Sequence, residues 1–184
     1  MPNWIDAGAT ADLEAKGRRI MKAGGKQILL IASGSQIFAC NNRCPHEGYP
    51  LSEGTLSASC TLTCNWHNWK FDLTSGETLV GGDRLRLYPL ELRGDRIWID
   101  IADLPEEERQ ARALANLNEA REDNDYERMA RETARYIKAG GDPFQPLRQS
   151  IVTTAARFEY GMTHAFAAAP DWLALYEAGG EALA

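Results

Sequence analysis

Cys44-Pro45-His46-Glu47-Gly48-Tyr49-Pro50-Leu51-Ser52-Glu53-Gly54 and Cys64-Asn65-Trp66-His67-Asn68-Trp69-Lys70-Phe71-Asp72 are the two segments on which the reading of this chain turns, with seventeen residues between His46 and Cys64. Each segment brings one cysteine and one histidine close together, as C-x-H and C-x-x-H. Working outward, residues 27–32 (QILLIA) and 36–40 (QIFAC) are apolar runs parted by Ser33-Gly34-Ser35, the pattern of a hairpin. Residues 69–73 (WKFDL) alternate and stop at Thr74-Ser75-Gly76-Glu77. Residues 85–92 and 96–100 read as two further strands split by Arg93-Gly94-Asp95. Many short strands at close spacing predict an antiparallel sandwich or small barrel.

Near residue 102 the period becomes helical, which predicts a β domain over 1–102 and an α-helical region over 103–184. That region should hold two or three antiparallel helices and a short terminal one. Asp103, Pro105 and the acidic run Glu106-Glu107-Glu108 have the chemistry of a helix start. Tyr126, Met129, Ala130, Thr133, Ala134 and Ile137 fall on one apolar stripe, and Gly140-Gly141 ends that helix. Leu147, Ile151, Ala155, Phe158, Met162 and Phe166 form a second stripe, which Pro170 is expected to break before a last short helix over 171–178.

Composition bounds the function. A hydrophobic fraction of 44% with 25% charged residues is that of a globular protein and not a disordered one. The net charge of −6 speaks against nucleic acid or an anionic membrane as partner, since both favour basic surfaces. No apolar stretch reaches the roughly 20 residues of a membrane span. The start, Met1-Pro2-Asn3-Trp4-Ile5-Asp6, has neither a basic n-region nor an apolar h-region, so a cytoplasmic address is expected. Cys40, Cys44, Cys60 and Cys64 then suggest metal binding before disulfides.

Cys44, His46, Cys64 and His67 are the candidate ligands. Thiolates suit iron–sulfur clusters, and two neutral imidazoles in place of two thiolates remove negative charge, which eases reduction. Two loop tips facing each other, each with one sulfur and one nitrogen, can enclose a two-iron cluster. A zinc site uses the same ligand types, but it usually pairs cysteine with cysteine and histidine with histidine. The alternating order here favours the cluster. Cys40 and Cys60, each four residues before a ligand cysteine, read as small apolar strand residues, with a disulfide or redox-sensing pair as the alternative.

Residues 3–101 resemble the Rieske ferredoxins and Rieske domains of aromatic-ring oxygenase systems, through the two quoted segments. The resemblance implies a three-sheet β core with a 2Fe–2S cluster at one tip, Cys44 and Cys64 on one iron, and His46 and His67 on the iron nearer solvent. Asn65 and Asn68 stand where the family usually has proline and glycine, and Asn68 can keep a left-handed turn. High-potential members carry a disulfide between positions that here are Tyr49 and Trp66. They also present hydroxyls where this chain has Trp69 and Phe71. Fewer hydrogen bonds to sulfur imply a potential at the low end of the Rieske range, as in oxygenase ferredoxins.

A mononuclear oxygenase iron needs two histidines and a carboxylate. Of the three histidines only His164 is left over, and no glycine-rich dinucleotide fingerprint follows a strand. Gly81-Gly82 reads as shaping a loop over the cluster. The expectation is therefore a one-electron carrier without a catalytic centre of its own, serving a reductase and a terminal oxygenase or other oxidoreductase. A fixed subunit docked through residues 103–184, as a homo-oligomer or larger complex, is the alternative, and a redox sensor a weaker one. His164, grouped with Thr153, Arg157 and Tyr160 on one helix side, reads as part of a solvated polar face.

Overall fold

The computed structural model describes residues 1–154 and 164–179. The chain divides into two compact units, Met1–Asp103 and a second that begins at Leu104. The first runs β1 (Trp4–Ala9), α1 (Thr10–Lys16), β2 (Arg18–Ala23), β3 (Lys26–Ser33), β4 (Gln36–Asn41) and a 3-10 turn (Leu51–Glu53). It continues with β5 (Thr55–Leu56), β6 (Thr61–Thr63), β7 (Lys70–Asp72), β8 (Thr78–Val80), β9 (Leu90–Arg93) and β10 (Arg96–Asp100). The strands form three antiparallel sheets, ordered β1-β10-β9, β2-β3-β4 and β5-β6-β7-β8, so the expected antiparallel β architecture is present.

β3 organises this unit. Its apolar run Ile28-Leu29-Leu30-Ile31 is buried throughout, and strand alternation sends its side chains to opposite faces. Leu29 and Ile31 join Cys44, Leu51, Leu62, Cys64, Phe71 and Leu73 in one core. Ile28 and Leu30 join Leu13, Ile97 and Ile99 in the other. Each such side chain contributes about 1.5–3 kcal/mol on burial. β3 turns into β4 through Gly34, whose φ of 58° suits the tight hairpin read from the sequence.

The run 85–92 is not one strand. Residues 86–88 lie along β4, with the Asn41 N–H donating to Arg86 O at 2.9 Å and the Tyr88 N–H to Ala39 O at 2.8 Å. Only from Leu90 does the chain enter β9, in a different sheet. Pro89 stands at the break, and its missing N–H cannot extend a ladder. The unit closes on Asp103, which accepts from Arg86 at 2.7 Å and Lys26 at 3.0 Å.

In the second unit the described helices are α2 (Glu106–Glu122), α3 (Tyr126–Lys138), α4 (Gln145–Thr154) and α5 (His164–Gly179). Between α2 and α3, Asn124 is left-handed at φ 56° and Asp125 caps α3 by accepting from the Arg128 N–H. The apolar stripe of α3 does not make its buried face. Arg128, Glu132 and Tyr136 are buried instead, while Tyr126 is 74% exposed and Ile137 42%. Ion pairing permits this: Arg128 reaches Glu119 on α2 at 2.9 Å, and Glu132 pairs with Arg135. The stripe lines a groove of about 570 Å³ with Leu117 and Leu147. Pro170 lies inside α5 and does not end it; the alanines around it are strong helix formers. The side chain of His164, and Arg157 and Tyr160 entirely, lie outside the described residues, as do Ala155, Phe158 and Met162 of the second stripe. Among the described residues, no helix is long and apolar enough to cross a membrane.

Candidate metal centre

The two sequence segments fold into loops of one design. In the first, which leaves β4, the Gly48 N–H donates to Cys44 O and the Cys44 N–H to Tyr49 O, both at 2.8 Å. In the second, between β6 and β7, the Asn68 N–H donates to Cys64 O at 3.0 Å and the Cys64 N–H to Trp69 O at 2.8 Å. The matching turn positions are both left-handed, Gly48 at φ 78° and Asn68 at φ 59°. Asparagine is among the few residues that accept this conformation, so Asn68 serves as glycine does.

Hydrogen bonds hold the base of the first loop and tie the second loop to it. Asn42, buried, accepts from the Ser52 N–H at 2.8 Å, and Arg18 donates to Ser52 O and Gly54 O at 2.8 and 2.9 Å. Asn65 donates to Glu53 O at 2.8 Å and accepts from the Thr55 hydroxyl at 3.0 Å, so the second loop is tied to the segment that follows the first.

The tips bring the four candidate ligands together as two pairs. Cys44 and Cys64 are buried, at 4% and 1% exposure, and their thiols interact with each other. His46 and His67 lie toward solvent with their Nδ1 atoms 3.0 Å apart, and the His67 side chain is 41% exposed. Burial above all, then the neighbouring Cys64, pushes the Cys44 thiol up to about 12, although the His46 and Glu47 backbone N–H groups donate to it. A thiol so placed gives up its proton when a cation takes that place. Among the described residues, the donor atoms that gather within 4.8 Å as a set are those of His46, Glu47 and His67, without the sulfurs. One tetrahedral zinc, with bonds of about 2.0–2.3 Å, would draw all four donors within about 4 Å. Two separate pairs suit two metal ions.

A family model described as Rieske [2Fe-2S] domain matches residues 3–84. The 3-phenylpropionate/cinnamic acid dioxygenase ferredoxin subunit of Escherichia coli K12 is 35% identical over 78 residues, which are 41% of this chain and 74% of the relative. The chain belongs to the Rieske [2Fe-2S] family. The ferredoxin component of the alkene monooxygenase system of Xanthobacter autotrophicus is 29% identical over 105 residues, 56% of this chain and 86% of that one. Among solved structures, the terminal oxygenase of carbazole 1,9a-dioxygenase from Nocardioides aromaticivorans IC177 shares the fold, with a TM-score of 0.50 at 24% identity. The match covers 55% of this chain and 31% of that one. The cofactor of the Rieske domain is a 2Fe–2S cluster, and a buried sulfur pair with a more open imidazole pair on the same two loops fits it.

Two ring stacks that sequence spacing does not show join the loops of this Rieske domain. Tyr49 of the first stacks on Trp66 of the second, centroids 5.2 Å apart and planes at 16°. The Tyr49 hydroxyl donates to Glu53 at 2.8 Å. These are the two positions that carry the disulfide in high-potential members, so ring contact stands where a covalent tie would. His46 stacks on Trp69, centroids 4.6 Å apart and planes at 18°. A stacked pair is worth about 0.5–1.5 kcal/mol beyond its area. Trp66→Ala is therefore expected to lower the thermal midpoint for loss of cluster colour by a few degrees, and an unchanged midpoint would show that the stack holds nothing.

Cys40 and Cys60 are free, like the other two cysteines. Cys40 is a buried strand residue whose thiol is pushed up to about 12 by burial. Cys60 is not on a strand; it sits in a turn at φ 58°.

Proposed function

We propose that Cys44 and Cys64 hold one iron of the cluster and His46 and His67 the other. On this reading the chain passes single electrons from a reductase to a terminal oxygenase or another oxidoreductase, without a catalytic centre of its own. One observation carries the reading: in the same two loops the sulfur pair is buried, while His46 is only half-buried and His67 is open to solvent. An electron can then reach a partner through the imidazoles while the protein body covers the far iron. The likeness to ferredoxin components supports it, because the chain covers most of their length. The sequence also supports it, since only His164 remains once two of the three histidines are assigned.

The test is reconstitution. Chain reduced anaerobically is mixed with a terminal oxygenase and its reoxidation followed; with reductase and aromatic substrate, product should appear only when the oxygenase is present. Product formed by chain and reductase alone would contradict the carrier role.

The midpoint potential is expected near the low limit of about −150 mV for Rieske centres. Neither Phe71, buried in apolar surroundings, nor Trp69, stacked on His46, carries a hydroxyl to give to sulfur. The donors that remain at Cys44 are backbone N–H groups. Voltammetry of the wild-type chain checks this, and a value well above zero would contradict it.

A further inference from the structure

We infer that Trp69 is a positioning residue that holds the His46 imidazole, and that the backbone of Gly81 holds Trp69. The inference rests on the assignment of His46 as an iron ligand. The two histidines are not equivalent in their surroundings. His46 is half-buried with its ring flat against Trp69, whereas His67 is exposed and meets Trp66 and His46 only edge-on.

Trp69 itself is confined. It packs against the core that contains Phe71, its ring 6.3 Å from the Phe71 ring. The backbone at Gly81 touches it closely: a Cβ there would lie 2.4 Å from Trp69 Cδ2, 2.6 Å from Cε3 and 2.8 Å from Cγ. Real Cβ contacts are not this short, and the atoms met lie at the base and middle of the indole, so a methyl there would shift the ring or the backbone. Position 81, just after β8, therefore accepts hydrogen but not methyl while the indole keeps its place. Groups that orient a metal ligand tune the metal they do not touch. An indole over the imidazole also keeps water from that ligand. Reduction adds one negative charge, which water stabilises, so the indole disfavours the reduced state.

The test is a double-substitution cycle on the full chain, read by midpoint potential and by the electron paramagnetic resonance g-values of the reduced protein. Trp69→Leu should keep two irons per chain, raise the potential and shift the g-values, and Trp69→Phe should do so less. Gly81→Ala should shift both in the same sense where Trp69 is present and leave them unmoved beside Trp69→Leu. Its backbone strain at φ 126° lowers stability in either background, so stability does not separate the cases. Unchanged potential and g-values in Trp69→Leu, or a Gly81→Ala shift equal in both backgrounds, would overturn the inference. If Trp69→Leu retains no iron, Trp69→Phe takes its place: the smaller ring should reduce the Gly81→Ala shift, and an undiminished shift overturns the inference. His46→Ala tests the ligand assignment separately, since a full cluster in that variant would refute the assignment whatever Trp69 does.

Discussion

Purified Cys64→Ser and His67→Ala proteins are expected to be colourless, with the visible spectrum gone and the iron content far below that of wild type. Each change removes one of four proposed donors, and each leaves an iron with an open position on a loop built to close over it. The two variants should differ in what remains. Cys64 is 1% exposed within the core around Phe71 and Leu62, where serine puts a hydroxyl among apolar groups and costs about 1–3 kcal/mol if unpaired. His67 lies at the exposed tip, so alanine there should leave the thermal stability of the apoprotein close to wild type. Elemental analysis and the visible spectrum, with calorimetry of the apo forms, distinguish loss of ligation from loss of fold. A full cluster in either variant would refute the ligand set.

The second large effect is expected at Phe71, where no ligand is replaced. Phe71 is fully buried on β7, the strand that follows the second loop, in one core with Leu51, Leu62 and Leu73. Truncating a buried phenylalanine to alanine costs about 3–5 kcal/mol through lost transfer energy and the cavity left behind. For a unit of this size that lowers the thermal midpoint by roughly 15 °C or more. Cluster retention should fall with it, because the register Leu62–Phe71 sets where Cys64 and Trp69 close the loop. A midpoint within a few degrees of wild type would mean that the core does not support the loop in the way described.

What was legible in the sequence was what lies close along it. The hairpin of β3 and β4 reads from two apolar runs and one glycine. The ligand candidates read from two short motifs, each of which is its own turn. Several elements were not readable from pattern. β1 and β2 carry little apolar alternation, and α1 buries only Leu13. The run 85–92 keeps its apolar character across Pro89 while the chain changes sheets. On α3 apolar periodicity pointed to the wrong face, because Arg128 and Glu132 are buried through ion pairs that hydrophobicity does not register.

At the tip, the contacts between loops escaped for a similar reason. Tyr49 with Trp66, and His46 with Trp69, meet across two loops that Asn65 ties together through Glu53 and Thr55. Spacing along the chain carries no trace of that. Trp69 was noticeable in the sequence only as a position without a hydroxyl, and Gly81 only as a loop former. Their joint role follows from a distance.

Iron and acid-labile sulfide analysis of the wild-type chain, with its visible spectrum before and after reduction, tests the central claim most directly. The expected result is a reddish-brown protein with two irons and two sulfides per chain, whose colour bleaches on reduction and returns on reoxidation. A colourless protein that binds one zinc per chain through the same cysteines and histidines would contradict it.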